Sequence, residues 1–229
     1  MGKLFVYTKD NQRMNDKVDK ALWRLRKILP LQESRNKCDP QIKELHQQML
    51  RSFVTRGHIL PKAEMAQWVD DVPTAVYTLS QYDMVVFAEN GEPVGAYPFT
   101  MTKREHQVLI NGHQVYAMCA LDALAISPML TETTQITSQC RVTGELVKIE
   151  MLGETVLNLA EVRDIHVGIA WAATDAGSCC ADSLCTEMIF LHDGTIAQQW
   201  LSENLEGREI FTLQEAVAFA SQFFTPLMA

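Results

Sequence analysis

The chain has 229 residues, of which 47% are hydrophobic and 21% are charged, a composition typical of a globular protein with one good core or two small ones. It contains no run of roughly 18 or more apolar residues, which excludes a predicted membrane-spanning helix, and its net charge of -8 argues against nucleic acid as the main partner. The apolar run at the N-terminus is short and interrupted by charge, so we expect no signal peptide and a cytoplasmic protein.

The first hundred residues predict a small helical region that ends in a hairpin. The predicted elements are helices at 15–29 and 41–55, a polar loop at 32–40, a short helix from Pro61, and strands at 84–88 and 94–99. Apolar residues at helical spacing support the two longer helices, and an Asn-Gly turn joins the strands. Because this is the element order of a winged helix, residues 1–99 are predicted to form a winged-helix-like region, for packing or dimerisation as readily as for DNA binding.

The remainder of the chain mixes strands and helices. The predicted elements are a hairpin at 107–116, a helix at 117–127, strands at 135–142, 146–151, 165–171 and 185–191, and helices at 195–204 and 213–224. The last helix has a capping box, formed by Thr212 and Glu215. We therefore predict an α+β protein with a second domain over residues 100–229.

Six cysteines are available for chemistry or packing: Cys38, Cys119, Cys140, Cys179, Cys180 and Cys185. A chain of this length without a signal peptide does not need disulfides, so we expect reduced thiols, which bind soft metals. Cys140 lies in an alternating strand and is predicted to be a core residue. Cys38 lies in the predicted polar loop and is assigned no role.

Cys119 and Asp122 are three residues apart at the start of a predicted helix, which places both side chains on one face. The helix N-terminus lowers the pKa of a thiol, whereas a neighbouring carboxylate raises it. The pair is therefore suited to sharing one proton. The same spacing also fits a buried structural cysteine beside a capping aspartate.

Cys179, Cys180 and Cys185 form a second group of thiols at the entry to a predicted strand. They lack paired Cys-x-x-Cys motifs, so a structural zinc site has little support. This group could instead meet Cys119 and bind a soft ion at low coordination number, or Cys179 and Cys180 could be chance loop cysteines. The histidines are dispersed and receive no role, and no phosphate-binding loop or dinucleotide fingerprint is present.

Three segments resemble the organomercurial lyase (alkylmercury lyase) family. Residues 116–124 (Tyr-Ala-Met-Cys-Ala-Leu-Asp-Ala-Leu) resemble its segment Tyr-Ala-Trp-Cys-Ala-Leu-Asp-Thr-Leu. Residues 140–147 are similar to its strand Cys-x-x-Thr-Gly-x-x-Val, and residues 184–191 to its strand Phe-Cys-x-x-Val-x-Phe-Phe. The likeness covers roughly residues 40–220 and implies a lyase-like catalytic domain of small antiparallel sheets flanked by helices.

The resemblance implies a role for each matched residue. Cys119 and Cys185 would be the catalytic thiolates that hold mercury, with Asp122 as the proton donor beside the metal and Cys140 as a structural residue. A gap-free alignment favours Cys185 over Cys180 as the second ligand, and Cys180 remains the alternative. The implied reaction is protonolysis of a carbon–mercury bond to a hydrocarbon and Hg(II), without an organic cofactor. External thiols or a mercuric reductase would accept the Hg(II).

The sequence also departs from the family's pattern. Met118 replaces a tryptophan common before the first cysteine, which would change the wall of a substrate pocket. Thr186 follows Cys185 where the family often has a second cysteine, and the Cys-Cys pair lies upstream instead. A lyase-like protein that handles another organometal or soft metal ion is therefore an alternative. A metal-responsive regulator, with residues 15–99 contacting DNA, is a third hypothesis, against which the net charge of -8 weighs.

Overall fold

The computed structural model describes residues 9–173 and 179–229. The segment 1–8, on which the expected absence of a signal peptide mainly rests, lies outside the described residues. The helices are α1 (Lys9–Ile28), α2 (Leu31–Lys37), α3 (Pro40–Arg56), α4 (Val72–Gln81), α5 (Ala120–Leu130), α6 (Leu159–Val162), α7 (Gly194–Ser202) and α8 (Leu213–Phe224). The strands are β1 (Val85–Phe87), β2 (Pro93–Ala96), β3 (Phe99–Thr100), β4 (His106–Ile110), β5 (His113–Ala117), β6 (Thr133–Gln139), β7 (Leu146–Leu152), β8 (Thr155–Val156), β9 (His166–Ala170), β10 (Met188–Leu191) and β11 (Arg208–Thr212). No helix within the described ranges is both long enough and apolar enough to span a membrane.

The N-terminal helices are defined by their caps. The carboxylate of Asp39 accepts a hydrogen bond from the Ile42 backbone N–H at the start of α3, and Gly57 ends α3 in the left-handed conformation with φ of 76°. The predicted helices at 15–29 and 41–55 are confirmed, as α1 and α3. A short 3-10 helix, Lys62–Gln67, follows Pro61 where the third helix was predicted.

The predicted loop at 32–40 is wrong, because most of it is the short helix α2. An ion pair of 2.8 Å between Glu33 and Lys37 spans one turn of α2, and Leu31 anchors it in the core. Only one of the seven residues of α2 is apolar, so the segment shows no helical spacing of apolar residues from which a helix could be predicted. Helix α4 was also missed, although Asp71 caps it by accepting from the Thr74 N–H.

The larger sheet has eight strands in the order β1-β2-β3-β5-β4-β6-β7-β8, all paired antiparallel. The predicted Asn-Gly turn between β4 and β5 is confirmed: Asn111 and Gly112 have φ of 47° and 79°. The predicted strand at 94–99 is instead divided into β2 and β3 by Tyr97 and Pro98, which are joined by a cis peptide bond.

The smaller sheet has the order β10-β9-β11 and is also antiparallel. Gly168 in β9 is required because a Cβ there would lie 2.8 Å from the Trp200 ring. An isolated bridge between Cys140 and Phe190 links the two sheets, and Cys140 is buried as predicted. Strand β11 was not predicted, and the predicted strand at 185–191 begins only at Met188, after a 3-10 turn.

The α+β class with antiparallel sheets and flanking helices is confirmed. The winged-helix-like character of the N-terminal region and the boundary between residues 99 and 100 stay predictions, and β3 spans that boundary. One apolar cluster contains residues from α1 through α6 and from α8. Within it, the rings of Phe53 in α3 and Phe99 in β3 stack with centroids 4.6 Å apart. The helical region and the larger sheet therefore share one core.

Replacing Phe53 with Ala is expected to lower the free energy of unfolding by about 3–5 kcal/mol, because it opens a cavity beneath the sheet and removes the stacked ring. Urea denaturation followed by circular dichroism measures the change. The matched control is Trp23→Ala, which removes an aromatic ring that is 63% exposed and should change stability by less than about 1 kcal/mol. Equal effects of the two substitutions would contradict the shared core.

Candidate active site

Cys119 is the N-cap residue of α5 and follows the end of β5 by two residues. Its Sγ accepts a hydrogen bond of 3.3 Å from the Asp122 backbone N–H, as a capping side chain does. Every residue of α5 from Ala120 to Met129 is buried, so this helix runs through the interior. Cys119 and Asp122 are each only 1% exposed. The predicted pair therefore lies at one helix N-terminus, as expected, and is shielded from water.

Cys185 reaches the same place from the far end of the chain. It lies in the 3-10 turn Leu184–Glu187, which leads into β10. The Sγ atoms of Cys119 and Cys185 and a carboxylate oxygen of Asp122 all lie within 4.8 Å of one another, and all three residues are buried. The structure thus brings together the three residues predicted for the site. Cys140 packs in a separate apolar cluster, with Ile189 and Trp200 among its members.

The two remaining predicted thiols extend outward from Cys185. The Sγ of Cys180 lies 3.6 Å from the Sγ of Cys185 and is buried. Cys179 is partly exposed, and its thiol donates to an oxygen of Asp182 at 3.3 Å. Cys38 is also buried and donates to the Ser34 carbonyl at the end of α2, rather than lying in a polar loop.

Burial controls the protonation of the site. Desolvation raises the pKa of Cys119 to about 12 and outweighs the hydrogen bond from the Asp122 N–H, which lowers it. Of the two opposing effects named from the sequence, the neighbouring Asp122 carboxylate adds to the rise in the thiol pKa, and burial outweighs the helix N-terminus. Contacts with the thiols of Cys119 and Cys180, together with burial, raise the pKa of Cys185 well above its usual value. At neutral pH both thiols therefore carry their protons.

Desolvation also raises the pKa of Asp122, to about 7. Its Oδ2 atom is buried and has no hydrogen-bond partner among the described residues. An unsatisfied carboxyl oxygen is costly in the interior, and such atoms concentrate where a ligand or a proton is exchanged. Asp122 can therefore accept a proton from one neighbour and release it to another near neutral pH.

Arg104 joins the two segments that carry the thiols. Its guanidinium donates to the Met118 carbonyl at 3.4 Å and to the Ala181 carbonyl at 2.7 Å, and it pairs with the Asp182 carboxylate at 3.0 Å. Its positive charge also lowers the pKa of Asp122 and opposes part of the effect of burial. No pattern in the sequence selects this residue, because its partners at Met118, Ala181 and Asp182 are distant from it along the chain.

A pocket of about 200 Å³ opens at the surface and reaches the site at Cys185. Its lining includes Arg104, Glu105, His106, Met118, Arg141 and Cys185. Burial raises the pKa of Glu105, but hydrogen bonds from His106 at 3.2 Å and Arg141 at 2.8 Å hold it at about 2. Glu105 is therefore ionised at neutral pH, which leaves Asp122 as the carboxyl able to donate a proton.

Met118 forms part of the pocket wall, where a tryptophan was expected from the resemblance. Its methyl group packs against Gly95 in β2, at which a Cβ would lie 2.8 Å from that methyl. The pocket is thus lined here by a flexible thioether side chain instead of a flat ring.

Comparison with known proteins identifies a family. The family model for alkylmercury lyase (MerB) matches residues 99–225, more than half of the chain. The alkylmercury lyase of Staphylococcus epidermidis (strain ATCC 12228 / FDA PCI 1200) is 26% identical over 144 residues, 63% of each chain. That of Bacillus cereus is 24% identical over 138 residues, covering 60% of this chain and 61% of the relative. The matches thus span less than two thirds of the length of these relatives.

A solved structure shows the same fold. The crystal structure of the mercury-bound form of MerB2 superposes with a TM-score of 0.70 at 19% identity, covering 87% of this chain and 98% of the other. The superposition includes more of the chain than the family model does, so the shared fold extends into the N-terminal region.

The free energy of unfolding of Asp122→Asn, relative to that of the unmodified protein, is expected to be higher above pH 7 than near pH 4. Because the folded-state pKa of Asp122 is raised from 3.8 to about 7, its contribution to stability is complete below about pH 4 and is lost as the pH rises to about 7. The asparagine variant does not titrate, so the difference should grow by up to about 1.4 kcal/mol per pH unit across this window.

Urea denaturation at several pH values between 4 and 8 measures this difference, with Asp70→Asn as a control for an exposed carboxyl. A difference between Asp122→Asn and the unmodified protein that is independent of pH would contradict the raised pKa.

Proposed function

The chain belongs to the alkylmercury lyase family, and we propose that it cleaves carbon–mercury bonds by protonolysis. The observation that carries the proposal is the buried set of two thiols and a titratable carboxyl, with ligand atoms within 4.8 Å of one another. Thiolates are the soft ligands that Hg(II) prefers. A carboxyl with a pKa of about 7 beside them is suited to general acid–base catalysis at neutral pH.

The first step is exchange of the ligand on the organomercurial. Cys185 lines the pocket and so meets the substrate first. Its sulfur bonds to mercury, and its proton leaves with the displaced ligand. A coordinating thiol loses its proton because the metal lowers its pKa. This overcomes the raised pKa that burial gives to both thiols.

The second thiol supplies the proton for the cleavage. When the sulfur of Cys119 bonds to mercury, its proton passes to the carboxylate of Asp122, with which its side chain is in contact. Two thiolates on the metal increase the electron density on the bound carbon. Asp122 then donates its proton to that carbon, the carbon–mercury bond breaks, and the hydrocarbon leaves. Hg(II) remains on Cys119 and Cys185, and Asp122 is again a carboxylate.

The proposal includes the fate of the product. External thiols or a mercuric reductase would remove Hg(II), and no organic cofactor takes part in the steps above. Each step requires reduced cysteines, and all six cysteines of the chain are free. We therefore place the reaction in the reducing cytoplasm.

A second candidate is a protein of the same fold that binds another soft metal or organometal. It is favoured by two further sulfur atoms beside the site: Met188 Sδ lies 3.6 Å from Cys119 Sγ, and Cys180 Sγ lies 3.6 Å from Cys185 Sγ. Four sulfur atoms suit a soft ion. Binding of a soft ion by sulfur atoms does not account for the buried Asp122 carboxyl, whereas protonolysis uses it as the proton donor.

Purified protein is expected to release methane from methylmercury and benzene from phenylmercury. Cys119→Ser and Cys185→Ser should abolish release, because a hydroxyl is a poor mercury ligand, and Asp122→Asn should slow it by about 10²–10⁴-fold. Gas chromatography of the headspace measures the hydrocarbon. Cys38→Ser is the control, since it removes a buried thiol distant from the site and should retain release. Binding of organomercurials without any hydrocarbon would contradict the proposal.

A further inference from the structure

We propose that Cys180 is a third mercury ligand, which takes the Hg(II) product from Cys119 and begins its transfer through Cys179 to the surface. This inference rests on the proposed function. It accounts for a thiol that the cleavage chemistry does not use, although its sulfur lies 3.6 Å from that of Cys185.

Exposure increases along the thiols in the order of the proposed transfer. Cys119 is 1% exposed, Cys185 is 4% exposed and Cys180 is 6% exposed. Cys179, the next residue, is partly exposed and carries its thiol beside the exposed Asp182. Transfer of Hg(II) from Cys119 to Cys180 would move it away from the most buried thiol and towards Cys179, where an external thiol can attack it. A thiol nearer the surface gives that attack an accessible target.

The turn that carries Cys180 is fixed to the protein interior. The Cys180 backbone N–H donates to an oxygen of Asp83 at 3.0 Å, and the Ala181 N–H donates to the hydroxyl oxygen of Tyr97 at 2.8 Å. The Tyr97 hydroxyl in turn donates to the same Asp83 oxygen at 3.2 Å. Tyr97 is fully buried. Tyr97 and Asp83 are therefore positioning residues that hold the third thiol against Cys185.

Arg104 provides charge for the intermediate. Three thiolates around one Hg(II) carry a net charge of -1, which is costly in a buried site. The guanidinium of Arg104 donates to the Ala181 carbonyl, one residue beyond Cys180, and to the Met118 carbonyl, one residue before Cys119. This cation also pairs with the Asp182 carboxylate at 3.0 Å, so it offsets part of the charge of the intermediate.

The transfer is a ligand exchange without any redox change. The sulfur of Cys180 bonds to Hg(II) and loses its proton, the bond between Cys119 and mercury breaks, and Cys119 regains a proton. Hg(II) then lies between Cys180 and Cys185. Cys119 and Asp122 are then free, and Cys185 becomes available for the next substrate once Hg(II) passes to Cys179 and on to an external thiol by the same kind of exchange.

The test measures the removal of inorganic Hg(II) from the full chain. Protein loaded with one equivalent of Hg(II) is mixed with excess glutathione, and the loss of the protein's mercury–thiolate absorbance is followed by stopped flow. Cys180→Ser and Cys180→Ala should slow removal by about tenfold or more. The matched control is Cys38→Ser, because Cys38 is also 6% exposed. The first turnover of phenylmercury should be affected much less than removal.

Unchanged removal rates in both Cys180 variants would overturn the proposal, as would a first turnover slowed as strongly as removal. Tyr97→Phe retains every thiol but frees the Ala181 N–H, and it should slow removal by a smaller factor. If the Cys180 variants do not fold, Tyr97→Phe is the deciding variant. An unchanged rate of Hg(II) removal in Tyr97→Phe would then overturn the proposal. The loading uses inorganic Hg(II), so this test does not depend on cleavage of a carbon–mercury bond. If the protein released no hydrocarbon but removal of Hg(II) still depended on Cys180, only the proposed function would be refuted.

Discussion

Removing the Asp122 carboxyl from water is the physical constraint on which the site depends. The carboxyl is buried because α5 is covered on all sides, and it has one oxygen without a partner among the described residues. Burial destabilises the ionised carboxylate and so raises its pKa to about 7, although the positive charge of Arg104 opposes part of this rise. The same burial keeps both thiols protonated, so the proton that the proposed reaction needs is already held in the site.

Neighbouring groups give the two carboxyls of the site different pKa values, and the fold gives its thiols different positions. Glu105, at the pocket, is held ionised by His106 and Arg141, whereas Asp122, a few residues into α5, titrates near neutral pH. Such a separation of pKa values distinguishes a structural carboxylate from an acid–base group. Among the thiols, Cys185 lines the pocket, and the Sγ of Cys180 lies 3.6 Å from the Sγ of Cys185. In the proposed reaction, substrate thus meets Cys185 first and Hg(II) leaves through Cys180.

The sequence predicted the central residues because their motifs are local. Cys119 and Asp122 share a helix start, and the segment around Cys185 resembles a known strand. Arg104 could not be predicted, because it acts through the carbonyls of Met118 and Ala181, which only the tertiary fold brings to it. Helix α2 and strand β11 were missed for a related reason: their short segments are held by long-range packing, and too few residues show a period.

Titration of the Asp122 carboxyl in the substrate-free, reduced protein tests the central claim most directly. ¹³C NMR of protein labelled at the aspartate carboxyl carbons can follow it, with the signal assigned by its absence in Asp122→Asn. The account predicts a midpoint at about pH 7. A midpoint near the ordinary value of 3.8 would contradict it. A carboxyl with that pKa is almost entirely ionised at neutral pH and has no proton to donate to carbon.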